Sequence, residues 1–231
     1  MKSLTVIFCL IFGVAALADR PPSKVTRAEA MATAERYLKF AWGPTRANIR
    51  HGADRAGVRI DTPDAAFKPA GTFPGWWKPG MINKSMPYKW GGFDTPESFL
   101  AGLSEGRAAG DICTPEKRKS LDAAVSKEAV GIDCSGFVSR CWNLPRPYST
   151  RTFAAICDRV PDLNDLKPGD ILNASNMHVF LFARWIDPER RRMMVYTAGT
   201  KPLWGVQIGP VRTAQMRELR YTAWRYRGIR D

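Results

Sequence analysis

The spacing of apolar positions divides the chain into a helical first part and a strand-rich last part. Residues 23–42 carry apolar side chains at helical spacing, which predicts an amphipathic helix packed on the rest of the protein: Ala30, Ala34, Tyr37, Leu38 and Trp42. From residue 164 onward, short apolar or alternating runs predict antiparallel strands, with residues 187–190 (DPER) as a hairpin turn. Helices followed by a strand meander indicate the α+β class.

Between these parts the pattern is weaker. Residues 43–87 are rich in Gly, Pro and single aromatic residues without sustained periodicity, which predicts a long arm wrapped on the main domain. Thr95 precedes a short apolar run that has Glu97 in its first turn, so we expect a helix capped by Thr95. Residues 116–130 (EKRKSLDAAVSKEAV) predict a second surface helix.

Residues 1–18 have the pattern of an export signal. Lys2 is followed by an apolar run from Leu4 to Ala15 and by the small-residue ending at Ala18. This run is shorter than the roughly 20 residues that span a bilayer, and no later segment approaches that length. We therefore expect a signal peptide at 1–18 and a free protein without a membrane span, periplasmic or secreted.

Charge and composition narrow the choice of partners. The chain has 35 Lys and Arg against 22 Asp and Glu, a net charge of +13 that becomes +12 when Lys2 leaves with the signal. Such a charge favours anionic polymers, and for an exported protein these are cell-wall polymers or membrane surfaces. We find no nucleic-acid recognition motif and expect no nucleic-acid partner. A basic surface that only confers solubility accounts for the charge equally well. Two histidines and no CxxC pair argue against a zinc site, so we expect no metal and no cofactor.

The stretch VGIDCSGFVSRCW (130–142) carries the strongest chemical pattern. Cys134 shares one helical face with Phe137, Val138, Cys141 and Trp142, which puts its thiol in the first turn of a helix. Unpaired backbone N–H groups at a helix N-terminus favour a thiolate and can hold an oxyanion. An even number of cysteines after the signal also permits two disulfides by three connectivities: Cys113, Cys134, Cys141 and Cys157.

A nucleophilic thiol needs a base, and the chain offers two imidazoles. His51 lies in the charged segment RANIRHGADR, whereas His178 opens the predicted strand HVFLFARW, where a side chain can stand at the lip of a sheet. His178 is therefore the better candidate base. The imidazole also needs a polar group to orient it. Tyr196 and Thr197 are both available on the next strand, and Thr197 is favoured.

The segments DCSGFVSRCW, LKPGDIL and HVFLFARW together resemble the NlpC/P60 family of papain-like cysteine peptidases, many of which cut peptide stems of bacterial cell walls. The resemblance implies a papain-like catalytic domain over 86–231, preceded by a helical and aromatic arm over 19–85. Residues 88–92 (YKWGG) match a further family motif, but 40 residues separate Gly92 from Asp133. We therefore interpret 93–130 as a largely helical insertion beside the cleft.

The resemblance also implies roles for single residues. Cys134 and His178 correspond to the catalytic pair, and Thr197 to a third position that is commonly His, Asn, Gln or an acid. Tyr88, Asp133 and Ser135 correspond to the pocket for the free amino group of the substrate's first L-alanine. Asp133 would equally well serve as the N-cap of the helix.

If Cys134 remains a thiol, Cys113 and Cys157 could form a disulfide while Cys141 is buried. The expected activity is hydrolysis of amide bonds in peptidoglycan stem peptides, such as a γ-D-glutamyl bond, through a thioester on Cys134. The alternatives are an N-acetylmuramoyl-L-alanine amidase or acyltransferase on the same fold, or a cell-wall-binding or toxin-like protein without activity.

Overall fold

The computed structural model describes residues 23–231, and the predicted signal peptide lies outside the described residues. The helices in this range are α1 (Arg27–Lys39), α2 (Pro96–Ser104), α3 (Pro115–Ser120), α4 (Cys134–Cys141) and α5 (Thr213–Glu218). The short strands of the first part are β1 (Val25–Thr26), β2 (Ala41–Trp42), β3 (His51–Ala53), β4 (Arg59–Asp61), β5 (Asn83–Lys84), β6 (Ala108–Ala109) and β7 (Ala129–Val130). The later strands are β8 (Cys157–Val160), β9 (Ile171–Ala174), β10 (His178–Trp185), β11 (Arg192–Thr200), β12 (Leu203–Arg212), β13 (Thr222–Tyr226) and β14 (Ile229–Arg230).

A six-stranded antiparallel sheet forms the second half of the protein, in the order β12-β11-β10-β9-β13-β8. The turn between β10 and β11 closes where the sequence predicts it, since the Arg190 N–H donates to the Asp187 carbonyl at 3.1 Å. The α+β class is thus confirmed. Strands β9 to β12 form the predicted meander, whereas β13 crosses back and pairs between β9 and β8.

Helix α4 packs on the middle of this sheet, against β10 and β11. The predicted apolar face of α4 is fully buried, with Phe137, Val138 and Cys141 at 0% exposure. On its other side α4 meets α1, where the rings of Tyr37 and Phe137 pack edge to face at 5.9 Å. Helix α4 is therefore enclosed between α1 and the sheet, with its N-terminus at one end of this core.

Helix α1 is shorter than the helix predicted over residues 23–42. Helix α1 begins after a capping box of Thr26 and Glu29 and ends at Lys39, because Phe40 takes an extended conformation. Trp42 is buried as expected, but it lies in β2, and Leu38 is half-buried. The buried stripe of α1 is Ala30, Ala34 and Tyr37.

The arm that follows α1 wraps onto the sheet edge, as its composition predicts. Phe73 stacks on the ring of Trp204 with centroids 4.1 Å apart. The indole N–H of Trp76 donates to the Trp204 carbonyl at 2.8 Å, and the indole N–H of Trp204 donates to the Phe73 carbonyl at 3.1 Å. Trp42 and Trp77 belong to the same buried cluster as α4. The arm therefore contributes to the main core.

The helix predicted over 116–130 is wrong in extent. Helix α3 stops at Ser120, and Leu121 has φ +51°, a value that interrupts a regular helix. A 3-10 turn follows at Leu121–Ala124, and the last two residues of the predicted helix form β7, which pairs in parallel with β6. The expected helix after Thr95 is confirmed as α2, with the Thr95 hydroxyl accepting from the Ser98 N–H.

The expected disulfide is also wrong, because all four cysteines of the described residues are free thiols. Cys113 is partly buried and follows the short ladder that joins the motif at 88–92. Cys157 lies in β8, at an edge of the sheet, opposite Tyr226. Cys141 is buried in α4, as expected. Among residues 23–231, no helix is long and apolar enough to cross a membrane.

Candidate active site

Backbone hydrogen bonds join residues 87–92, which include the YKWGG motif, to residues 132 and 133, which directly precede Cys134. The Lys89 N–H donates to the Ile132 carbonyl and the Ile132 N–H donates to the Pro87 carbonyl, both at 3.1 Å. The Asp133 N–H donates to the Gly92 carbonyl at 3.2 Å. Residues more than 40 positions apart in sequence are thus adjacent, and the segment between them begins and ends at one place in the fold.

Two glycines permit this close approach. A Cβ at Gly136, in the first turn of α4, would lie 2.0 Å from the Gly92 carbonyl oxygen. Gly199 has φ +80°, and a Cβ there would lie 2.2 Å from the ring of Tyr88. Real Cβ atoms do not come so near, so glycine is required at both positions. The segment carrying Tyr88 is therefore packed directly against both α4 and β11.

A pocket of about 100 Å³ opens where the N-terminus of α4 meets the first residue of β10. Its lining includes five of the predicted site residues: Tyr88, Asp133, Cys134, Ser135 and His178. A larger open groove of about 870 Å³ is lined by Lys89 and by residues 125–130, among others. No predicted nucleophile or base lines that groove. The chemistry suggested by the sequence is concentrated in the smaller pocket.

Thr197, the sixth predicted residue, stands behind the imidazole. His178 Nε2 lies 2.5 Å from Thr197 Oγ1 in a hydrogen bond between neighbouring strands. Tyr196, the alternative at this position, points to the other face of β11, where its hydroxyl donates to Glu35 at 2.8 Å. Within the described residues no hydrogen bond engages His178 Nδ1. The Thr197 contact thus fixes the ring and leaves Nδ1 as the free nitrogen.

Burial keeps the thiol and the imidazole neutral. Burial, and then the Asp133 carboxylate, raise the pKa of the Cys134 thiol to about 12. Burial, and then the charge of Arg118, lower the pKa of His178 to about 3. These effects outweigh the helix N-terminus, which by itself favours a thiolate. The resting pair at neutral pH is a thiol and an uncharged imidazole, and the thiolate expected from the sequence is not the resting form.

Asp133 is the N-cap of α4. Its Oδ1 accepts the Gly136 N–H at 2.6 Å and the Ser135 hydroxyl at 2.9 Å. Burial nevertheless raises the pKa of the Asp133 carboxyl above its usual value. Tyr88 is 4% exposed and lines the same pocket, but the described hydrogen bonds do not join its hydroxyl to Asp133. The three predicted pocket residues are therefore brought together, with Asp133 and Ser135 in direct contact.

The segment over 93–130 adds residues that sequence reasoning missed. Arg118 and Asp122 line the pocket from α3 and the turn after it, and Arg151 lines it from the loop after α4. Arg118 lies in the run EKRK, which has the pattern of an ordinary solvated helix face, so nothing in the sequence distinguished it from its neighbours. The two cationic residues make the mouth of the pocket more basic than its interior.

His51 lies outside this pocket, in a different arrangement. Its Nε2 is 2.8 Å from Asp64 Oδ2, and its ring stacks on Phe67 with centroids 4.4 Å apart. Across residues 23–231, no three side chains of His, Cys, Asp or Glu are grouped closely enough to hold a metal ion.

Comparisons with protein-family models, with curated proteins and with solved structures find no match for this chain.

Proposed function

We propose that the protein is an exported cysteine peptidase that hydrolyses amide bonds in short cell-wall peptides, with a papain-like catalytic domain of the NlpC/P60 type. One observation carries the proposal. Cys134 at the N-terminus of α4 and His178 at the start of β10 line one small pocket, and His178 is held by Thr197 with Nδ1 free. A thiol, a neutral base and a group that orients the base are the parts of an activated-cysteine site.

The chemistry follows from a neutral resting pair. As the Cys134 sulfur bonds to the scissile carbonyl carbon, its proton passes to His178 Nδ1 and the carbonyl becomes an oxyanion. The N–H of Cys134, at the first position of α4, has no intrahelical acceptor and is a donor for that oxyanion. His178 returns the proton to the leaving amine, and a thioester forms. Water then attacks the thioester with His178 again as base, which releases the acid and the thiol.

Four features support a cell-wall peptide as substrate. The segments around Cys134 and His178 resemble those of cell-wall peptidases, and residues 1–18 have the pattern of an export signal. The net charge of +13 favours anionic polymers. Asp133 and the Tyr88 ring line the pocket together, and a carboxylate beside a phenol suits an ammonium group. The scissile bond fitting these features best is the γ-D-glutamyl bond of a stem peptide.

The test is incubation with purified muropeptides, followed by mass spectrometry. We expect products shifted by one water that disappear in Cys134→Ala and His178→Ala. Cys141→Ala, on the same helix but away from the pocket, is the matched control and should keep the activity if it folds. A product joined to an added amine would indicate acyl transfer, and release of whole stems from muramic acid would indicate an amidase. Unchanged muropeptides with wild-type protein would contradict hydrolysis.

One observation favours a second candidate function, a cell-wall-binding protein without activity. The Cys134 thiol is 8% exposed and its pKa is raised by burial, as for an inert structural thiol. In that case the protein would be retained on purified cell walls, and Cys134→Ala would bind as the wild type does. Retention without products would support this candidate over the first.

A further inference from the structure

We propose that Arg118 and Arg151 form a carboxylate-binding rim at the mouth of the Cys134 pocket and are the residues that select a substrate by the free carboxylate beside its scissile amide. We call these two residues the arginine rim. The inference rests on the proposed peptidase function and adds two specificity-determining residues, both outside the sequence motifs, to that site. Both side chains line the pocket that contains Cys134 and His178.

The two arginines converge on one turn. Arg118 Nη1 donates to the Met177 carbonyl at 3.1 Å, directly before His178. The loop carrying Arg151 is tied to the same turn, because Thr150 Oγ1 accepts the Asn176 N–H at 3.1 Å. The Thr150 carbonyl also accepts from the Asn173 side chain at 2.9 Å. The guanidinium groups therefore flank the entrance to the base from two separate segments.

Neither guanidinium of the rim is neutralised by the protein. In residues 23–231, no carboxylate forms an ion pair with Arg118 or Arg151, although many other arginines of the chain have such partners. Asp122 also lines the mouth, but it is exposed and is not paired with either arginine. Two cations against one anion leave the mouth with excess positive charge. A planar guanidinium binds a carboxylate through two parallel hydrogen bonds, so the rim suits a carboxylate.

Arg118 is presented by a fixed helix. Its neighbour Lys117 is buried and forms an ion pair with the buried Asp111. The Thr114 hydroxyl caps α3 by accepting the Lys117 N–H at 3.3 Å, and the Trp90 indole donates to the Leu121 carbonyl at 3.1 Å. Because α3 is anchored at both ends, a ligand that binds Arg118 does not have to order the backbone that carries it.

The size of the pocket places the substrate carboxylate outside it. The pocket is small, about 100 Å³, and partly open to solvent, so a bound peptide extends beyond it. Asp133 is inside and the arginine rim is at the mouth. A peptide whose ammonium group enters and whose carboxylate stays at the mouth matches both charges.

The arginine rim also acts on the base. The charge of Arg118 lowers the pKa of His178 in addition to the effect of burial. A substrate carboxylate bound to Arg118 offsets that charge, and His178 becomes a stronger base when the substrate is in place. An acidic substrate should therefore gain in kcat as well as in binding.

The test compares L-alanyl-γ-D-glutamyl-L-lysine with the same peptide carrying a carboxamide in place of the glutamyl α-carboxylate. We expect the wild type to prefer the acid by about tenfold in kcat/KM, since a hydrogen bond to a charged group contributes at least that factor. Arg118→Gln and Arg151→Gln should each reduce the preference, with most of the loss on the acid and little on the amide. Lys119→Gln, which removes a neighbouring charge outside the pocket, is the matched control and should keep the wild-type preference.

Added salt should weaken the preference of the wild type, because the rim is exposed and its charges are screened. Equal cleavage of both peptides by the wild type would overturn the inference, and so would equal loss on both peptides in Arg118→Gln. If the wild type cleaves neither peptide, the proposed peptidase activity is contradicted independently of the arginine rim. Calorimetric titration of Cys134→Ala then decides the inference alone: tighter binding of the acid, lost in Cys134→Ala/Arg118→Gln, supports it, and equal affinities reject it.

Discussion

The two histidines of the chain have contrasting surroundings. His51 has a carboxylate near each ring nitrogen, Asp64 at 2.8 Å and Asp61 at 3.6 Å, and one face of its ring is covered by Phe67. His178 has a single hydroxyl partner, Thr197, and its other nitrogen is free at a pocket that contains a thiol. An imidazole held from both sides fixes the arm in place, whereas one held from a single side can still exchange a proton.

The different roles of His51 and His178 are tested most directly by removing each imidazole in turn. His178→Ala should lower kcat/KM for muropeptide cleavage at least about 10³-fold, because no other imidazole of the described residues lines the pocket. His51→Ala should leave kcat/KM within about twofold and instead lower the melting temperature, since Asp64 loses a partner. Steady-state kinetics and thermal unfolding measure the two effects. Similar losses of activity in both variants would contradict the assignment of His178 as the base.

The second prediction concerns the thiol that His178 serves. Because burial raises the pKa of Cys134 to about 12, its thiolate fraction should rise about tenfold per pH unit. Alkylation by iodoacetamide, followed by peptide mass spectrometry, should therefore increase about 100-fold from pH 7 to pH 9 and continue to rise at pH 10. Free glutathione, an ordinary thiol, is the control and levels off earlier. A plateau for Cys134 below pH 8 would indicate a thiolate resting state instead.

The third prediction tests the hydroxyl that distinguishes His178 from His51. Thr197→Val removes the partner of Nε2 at nearly constant volume and should lower kcat about tenfold with a smaller change in KM. Thr197→Ser keeps a hydroxyl and should restore most of the activity. If the valine and serine variants have the same activity, Thr197 does not orient the ring.

The fourth prediction concerns the dependence of stability on pH. The folded pKa of His178 is about 3 and lies below the unfolded value of about 6.5, so between these values only the unfolded chain binds the proton. Its contribution to stability is complete above pH 6.5 and is lost as the pH falls toward 3. The melting temperature of the wild type should thus fall more between pH 7 and pH 4 than that of His178→Gln. Parallel curves would show that His178 titrates normally.

The sequence predicted the parts of the site that depend on local patterns. Helical spacing placed Cys134 at the first turn of α4 with Phe137 buried behind it, and the strand after His178 offered Thr197 as the favoured partner of the imidazole. The sequence could not predict the protonation state of the Cys134 thiol. Burial of this thiol depends on the whole core, and its effect on the pKa outweighs that of the helix N-terminus.

The arginine rim lay beyond sequence reasoning for a related reason. Arg118 and Arg151 are 33 positions apart and share no motif, and only the tertiary fold brings them to one turn. The same limit applies to β7, since a parallel pairing of Ala129 and Val130 with distant residues overrides the helical pattern of 116–130.

The direct contact between Gly92 and Asp133 has a consequence for how this protein can change. Because the chain closes on itself there, residues 93–130 form a detour with a common exit and return. Each doubling of a connecting loop costs only about 0.6 kcal/mol of closure entropy, so a detour of this length is about 1 kcal/mol more costly than a ten-residue connection. Loop closure therefore hardly limits the length of the detour, whereas its buried Phe99, Leu103 and Ile112 belong to the main core and tie it to the catalytic half. Under the proposed function, substrate preference can change through the exposed Arg118 while these buried residues, and the backbone around Cys134 and His178, stay the same.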